Sequence, residues 1–228
     1  MAGEFSGRQV VVTGGDGALG QSVVQLFLEA GAQCHLPVLG DAPAQAAAGV
    51  AVTPHVDLTD QDAVEAYYAG LPPLWASVHL AGGFKMKPIA ETTRADLEQQ
   101  LLLNTATAFF CCREAVKAMR KTGQGGRIVN VAARIVEQPA PEMVAYSIAK
   151  GGVAALTRAL AVEVKGEGIL VNAVLPSIID TPANRAAMPG AKTERWPKPV
   201  QLARAILWLA SPANELTWGA LLPVYGNG

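Results

Sequence analysis

The sequence predicts an α/β fold: one doubly wound parallel sheet of about seven strands with helices on both faces. Three observations predict it. Segments of strand character alternate with segments of helical periodicity from end to end. A glycine-rich turn, Gly14-Gly15-Asp16-Gly17-Ala18-Leu19-Gly20, stands between the first strand and the first helix. No Pro/Gly-rich linker and no internal repeat divides the chain, so residues 1–228 read as a single domain.

The elements follow in order. Residues 8–13 are a short β-branched run, and residues 18–30 carry Leu19, Val23, Leu26 and Phe27 at helical spacing. Residues 33–38 and 50–56 read as strands. Residues 60–69 read as a helix with Thr59 as its N-cap. A strand over 75–80 leads to one long helix over 93–121. A strand over 126–131, a helix over 144–165 and a strand over 169–175 come next. Residues 199–210 predict a helix and 221–224 a last short strand. Residues 178–199 are rich in Pro, Ala and polar residues without a clear period, and a connection of that length is a candidate active-site lid.

Composition narrows the function. Half the residues are hydrophobic, which supplies a substantial core. The net charge is −1 and no Lys/Arg run stands out, which argues against nucleic acid or an anionic membrane surface as the main partner. The polar start of the chain and the lack of a long apolar run predict no signal peptide and no membrane span, hence a cytoplasmic location. Cys34, Cys111 and Cys112 form no Cys-x-x-Cys and read as buried free thiols of a reducing compartment. His35, His55 and His79 are scattered singly, so no metal site is expected.

Tyr146 and Lys150 stand four apart in a helical run, which puts both side chains on one face. A free phenol has a pKa of about 10. A nearby ammonium lowers it, so that Tyr146 becomes a usable acid or base near neutral pH. Taken alone, the pair is equally a surface lysine beside a half-buried tyrosine. The glycine-rich turn has two readings as well. It lets backbone amides approach a pyrophosphate at the helix N-terminus, or it is a tight turn that needs positive φ.

As a set these motifs resemble the short-chain dehydrogenase/reductase family: Thr13-Gly14-x-x-x-Ala18-x-Gly20, Ala81-Gly82-Gly83 after the fourth strand, Asn104 in the long helix, Tyr146-x-x-x-Lys150, and Pro176 with Thr181. The resemblance runs over essentially the whole chain. It implies a Rossmann-type sheet, a nicotinamide cofactor and hydride transfer with Tyr146 as acid/base. It also implies that Lys150 binds the nicotinamide ribose and lowers the tyrosine pKa, and that Asn104 holds a water in a proton relay. Gly14, Asp16, Gly17, Ala18, Leu19 and Gly20 would bind the cofactor, with the backbone amides of the glycine turn on the pyrophosphate. Val38, Asp57 and Leu58 would flank the adenosine, with Asp57 on the adenine. Ala81, Gly82, Gly83, Pro176, Ile179 and Thr181 would also bind the cofactor. Within the family, Ala81-Gly82-Gly83-Phe84, Asp180-Thr181-Pro182-Ala183-Asn184-Arg185 and Met188-Pro189 resemble dihydropteridine reductase-like members.

Two departures from the family pattern bear on function. The end of the second strand ordinarily offers an acid for NAD or a base for NADP. Here Val38 and Leu39 offer neither, and the carboxylate of Asp16, with Asp41 further on, tilts the expectation toward NAD(H) over NADP(H). The family's serine falls thirteen residues before the tyrosine, where this chain has Ala133. Loss of one such donor costs about 10²–10³ in rate. The expectation is therefore an oxidoreductase for a small, planar, quinonoid pterin-like substrate that spreads its charge. The alternatives are an ordinary carbonyl/alcohol oxidoreductase that uses water or Arg134 in place of the serine, and a catalytically impaired cofactor-binding sensor. Phe84, Ile135, Met143, Ile178, Met188 and Trp196 are candidate walls of a flat cleft. The helices over 93–121 and 144–165 carry apolar residues on more than one side, which, with the resemblance, predicts a homodimer or homotetramer.

Overall fold

The structure, a computed structural model, describes residues 3–43 and 45–227. Seven strands form one sheet in the order β3-β2-β1-β4-β5-β6-β7, every pairing parallel. The strands are β1 (Gln9–Thr13), β2 (Gln33–Pro37), β3 (Val50–Thr53), β4 (Leu74–His79), β5 (Gly126–Val131), β6 (Ile169–Pro176) and β7 (Leu221–Val224). The helices are α1 (Ala18–Glu29), α2 (Gln61–Ala69), α3 (Arg94–Gln100), α4 (Thr107–Thr122), α5 (Val144–Val164), α6 (Pro182–Ala187) and α7 (Pro199–Ala210). This is the Rossmann-type doubly wound architecture expected from the alternation of elements.

Two cores sandwich the sheet, and the two-residue period of β1 shows how the sequence makes them. Val10 and Val12 face α1 and α7, in a core with Phe27, Val78, Val174 and Ile206. Val11 points the other way, into a core with Tyr67, Cys111, Met119, Ile128 and Val171 under α2, α4 and α5. Both faces of the central strands are buried, which explains why β1 reads as a continuous apolar run rather than an alternating one. Cys34, Cys111 and Cys112 are buried and free.

Four local expectations are corrected. The N-cap of α2 is Asp60 rather than Thr59: its carboxylate accepts from Asp62 N at 2.9 Å, whereas Thr59 donates to Asp57. The long helix is interrupted, because a π-helical turn, Leu101–Ala106, separates α3 from α4 and carries Asn104. The strand over 50–56 ends at Thr53, because His55 takes a left-handed conformation (φ 58°) that leaves the ladder. Residues 178–199 are not one irregular loop. They contain α6, capped by Thr181 Oγ1 accepting from Asn184 N at 3.2 Å, with Pro182 in its first turn. Six residues are too few to show an apolar period.

A buried polar chain crosses the core beneath the carboxyl edge. Tyr68 Oη donates to Ser77 Oγ (2.8 Å), Ser77 Oγ donates to His79 Nε2 (2.8 Å), and His79 Nδ1 donates to Asn130 Oδ1 (2.8 Å). Asn130 Nδ2 donates to Thr157 Oγ1 at 3.0 Å, which donates to Val153 O at 2.8 Å. Because an amide oxygen only accepts, these directions follow if the imidazole is neutral with its proton on Nδ1. Among the described residues no helix is long and apolar enough to cross a membrane, and no His/Cys/Asp/Glu group could hold a metal ion.

Burial pushes His79 down to about 4. The unfolded chain takes up this proton near pH 6.5 while the folded one does not, so this group destabilises the fold increasingly from about pH 6.5 down to about 4, by about 3 kcal/mol in all. Urea unfolding at pH 7.0 and 4.5 should show the wild type losing about 2–3 kcal/mol more than His79→Gln. Equal losses in the two proteins would refute this account of the histidine.

Candidate active site

The carboxyl ends of the strands bring the predicted residues to one edge. The turn between β1 and α1 closes tightly: Gly17 N donates to Gly14 O at 3.1 Å, and Gly14 has φ 64°. A Cβ at Gly20 would overlap the Gly14 carbonyl, and one at Gly15 would stand 2.6 Å from Leu36 Cδ2. Gly17 caps α1 with no side chain, and the first turn, which includes Ala18 and Leu19, holds no acid. The leading amides of this 12-residue helix are thus left to an anion. Asp16 is exposed, its carbonyl accepting from Gln21 Nε2 at 3.1 Å.

Thr13 ties this turn to the end of β4. Its Oγ1 accepts from Leu80 N at 3.1 Å and Ala81 N at 3.3 Å, so that Gly14 lies against Ala81. Beyond it, Asn104 grips the outgoing chain. Asn104 Oδ1 accepts from Gly83 N (3.2 Å), and Nδ2 donates to Gly83 O (2.9 Å) and Gln100 O (3.0 Å). A Cβ at Gly82 would stand 2.6 Å from Asn104 Oδ1 and 3.4 Å from Lys150 Nζ. The glycines at 14, 15, 20 and 82 are therefore required by close approach, and the cradle fits the pyrophosphate and ribose of a dinucleotide.

Lys150 is 6% exposed and donates from Nζ to Val131 O at 2.8 Å. Burial lowers it to about 8. Tyr146, one turn earlier on α5, is partly buried, and burial pushes its phenol up to about 12. Burial is the cause of the phenol's shift, and it acts opposite to the lowering expected from Lys150. The ammonium is directed to the Val131 carbonyl, and desolvation dominates both groups. A phenol held this high keeps its proton at neutral pH.

Ala133 is buried and caps the short turn Arg134–Val136, so the family's serine position presents only a methyl group. Arg134 does not replace it: Nε donates to Gln138 Oε1 at 2.7 Å, and the guanidinium lies 5.1 Å over the Tyr225 ring, toward the end of the chain. Phe84 meets Tyr146 edge to face, with centroids 4.9 Å apart at 89°. On the far side of the sheet centre, Val38 is buried and its carbonyl accepts from Val56 N at 3.0 Å. Asp57 Oδ1 accepts from Thr59 N and Oγ1, which lowers its pKa, and Leu58 is half-buried beside it. Pro176 ends β6. Ile179 O accepts from Asn184 Nδ2 (2.8 Å) and Thr181 N (2.9 Å), and the Asp180 carboxylate accepts from Arg185 Nε and Nη2 at 2.5 and 2.8 Å. The topology places this segment at the same edge, and no described contact joins it to Tyr146.

One part of the site was not anticipated. Asp96 binds Lys85 Nζ at 2.6 Å and Lys87 Nζ at 2.8 Å, and also accepts from Thr93 N and Oγ1. The Thr93-x-x-Asp96 spacing is a visible capping box, but nothing in it announces the two lysines. Lys87 N also donates to Glu142 O at 2.7 Å, just before α5.

The model of the short chain dehydrogenase family matches residues 8–191. A galactitol 2-dehydrogenase of Rhizobium johnstonii is 34% identical over 96% of this chain and 94% of its own length. A cis-4-hydroxycyclohexanecarboxylate dehydrogenase of Sinomonas cyclohexanicum is 32% identical over 100% of this chain and 98% of its own. Among solved structures, one described as a short chain dehydrogenase/reductase family protein superposes with a TM-score of 0.90 and 28% identity, over 99% of this chain and 98% of the other.

The tightness of the cradle is testable at Gly82. Gly82→Ala should drive the Asn104 amide off Gly83, cost about 1–3 kcal/mol in urea unfolding, and weaken NADH binding in a fluorescence titration. An unchanged unfolding midpoint would contradict the close packing described.

Proposed function

The chain belongs to the short-chain dehydrogenase family and is an NAD(P)-dependent oxidoreductase; on that premise we propose that it reduces a small planar ring substrate whose developing charge is delocalised, as in a quinonoid pterin, with Tyr146 as proton donor. The observation that carries this reading is the buried methyl group of Ala133 where a hydroxyl would help hold a localised alkoxide. A bound nicotinamide ring supplies the hydride. Lys150 and Asn104 would hold the ribose and the relay water, and the amides of the turn over Gly14, Gly17, Ala18, Leu19 and Gly20 the pyrophosphate, with Asp16 beside the cofactor. Asp57, Leu58 and Val38 would flank the adenosine, while Ala81, Gly82, Gly83, Pro176, Ile179 and Thr181 close the nicotinamide side. NAD(H) is the favoured cofactor, supported by the exposed carboxylate of Asp16. We read residues 1–228 as one domain acting in the cytoplasm.

A second reading, reduction or oxidation of an ordinary alcohol or ketone, is favoured by the relatives, among them a cis-4-hydroxycyclohexanecarboxylate dehydrogenase and a galactitol 2-dehydrogenase. Cofactor oxidation with a quinonoid dihydropterin and with cyclohexanone separates the two. Tyr146→Phe should lower turnover of the true substrate by about 10²-fold or more with cofactor affinity little changed. Ala133→Ser should raise activity on the ketone by about 10-fold and leave the quinonoid substrate unaided. Wild-type turnover in Tyr146→Phe would remove the assigned acid, and equal gains on both substrates would remove the link between Ala133 and substrate class.

Self-association belongs to the same proposal. Phe109 on α4 and Ile148 and Val162 on α5 are exposed, on helices whose other faces are already buried. Light scattering at micromolar concentration should give a dimer or tetramer mass, and a clean monomer would refute it.

A further inference from the structure

The helix that carries Tyr146 and Lys150 is weakly held by its own sequence. Met143, the residue before α5, gives no side-chain cap, and the first turn, which includes Tyr146, holds no acid. Lys150 is followed at once by Gly151 and Gly152, and glycine is the poorest helix former after proline. A tie from outside fastens this stretch. Thr105, in the π turn Leu101–Ala106, donates from Oγ1 to Ala149 O at 2.8 Å. Ala149 is fully buried and immediately precedes Lys150. The threonine is seated against the helix as well as bonded to it: a Cβ at Gly152 would stand 2.8 Å from Thr105 Cγ2 and 2.9 Å from Thr105 Oγ1. Asn104, the preceding residue of the same turn, holds Gly83 by its amide and its carbonyl. The point where a Cβ of Gly82 would lie is 2.6 Å from Asn104 Oδ1 and 3.4 Å from Lys150 Nζ, so the two side chains converge there. Successive residues of one turn thus grip the exit of β4 and the middle of α5.

From this geometry we propose that Thr105 is a positioning residue for the reaction: its hydroxyl sets where α5 stands against the π turn, and so where Lys150 stands against Asn104 and Gly82. Thr105 acts through the backbone of Ala149, not on the cofactor itself. The inference rests on the reading of Lys150 as the residue that holds the nicotinamide ribose. A carbonyl inside an α-helix already accepts from the amide four residues on. The hydroxyl therefore adds little to the existence of α5, and its effect falls on the placement of the helix. Without it, Lys150 Nζ loses the fixed point that it shares with Asn104.

The test combines amide exchange with cofactor binding in the full chain. Thr105→Val keeps the branched shape and removes the hydroxyl, whereas Thr105→Ser keeps the hydroxyl. Hydrogen exchange over residues 146–153, read by mass spectrometry, should be about 10-fold faster in Thr105→Val and unchanged in Thr105→Ser. Calorimetric titration uses whichever of NAD+ and NADP+ the wild type binds more tightly. Affinity should fall about 10-fold in Thr105→Val and stay within about 2-fold of the wild type in Thr105→Ser. Wild-type exchange in Thr105→Val overturns the inference. Wild-type cofactor affinity in that variant does so too, even where its urea midpoint has dropped, because the hydroxyl would then serve stability alone. Failure of Thr105→Ser to rescue also overturns it. Lys150→Met judges the ribose reading separately, and should weaken the cofactor more than Thr105→Val does. Wild-type affinity in Lys150→Met removes that reading of the lysine. Weakened binding in Lys150→Met beside wild-type binding in Thr105→Val removes this inference alone.

Discussion

The seam between Asn104 and the Gly82-Gly83 segment is the constraint on which the rest of the site depends. A strand leaving the carboxyl edge of a parallel sheet carries amides and carbonyls that its neighbours no longer pair. Asn104 satisfies one residue's worth of them with its side-chain amide, behaving as a short piece of neighbouring strand. The side chain makes that grip from a π-helical turn, Leu101–Ala106. The grip requires glycine at position 82, since the amide oxygen occupies the space of a Cβ. Once the seam is closed, Lys150 lies beside the same glycine, and Phe84, the next residue out, is delivered to Tyr146.

The seam is backed from below by β5. Asn130 turns its side chain into the core to hold His79 and Thr157, and Val131, the next residue, offers its carbonyl to Lys150. One strand therefore anchors the buried polar chain and positions the lysine within two residues. The cost is desolvation on both levels: His79 and Lys150 are each pushed toward their neutral forms. In the proposed function, the ribose hydroxyls of a bound dinucleotide would be further partners of the lysine. The cradle's tight glycines and the lysine's strained charge thus belong to the same preparation for a ligand.

Much of this was legible in the sequence, for reasons that are physical. The strand–helix alternation, the glycine turn and the Tyr146/Lys150 spacing are local patterns, and local patterns fix which elements form and what their ends present. What escaped depends on tertiary placement. The break in the long helix at Leu101–Ala106 leaves no mark in composition, because a π turn is selected by what Asn104 must reach and not by propensity. Thr59 and Asp60 are both good caps, and the choice went to Asp60 because Thr59 is engaged by Asp57. The Lys85/Lys87–Asp96 clamp joins residues whose pairing only the fold determines. The direction of the tyrosine shift was also unreadable: a Tyr-x-x-x-Lys spacing reports proximity along a helix, but not how far each group is withdrawn from water, nor that the ammonium turns to Val131.

That last point bears on what the site can stabilise. A phenol raised to about 12 by burial reports an environment that solvates a concentrated negative charge poorly. A lysine lowered to about 8 reports the same of positive charge. An alkoxide forming beside Tyr146 would meet that environment with one hydroxyl donor fewer, since Ala133 contributes only a methyl group. The penalty for placing charge in a poorly solvating site falls as the charge is spread over more atoms, because the field at each atom is weaker. A conjugated ring that distributes its charge is thus penalised least where desolvation is strong and donors are few. The missing hydroxyl and the raised phenol, which look like two separate defects for a carbonyl reductase, are together consistent with a site fitted to a delocalised substrate.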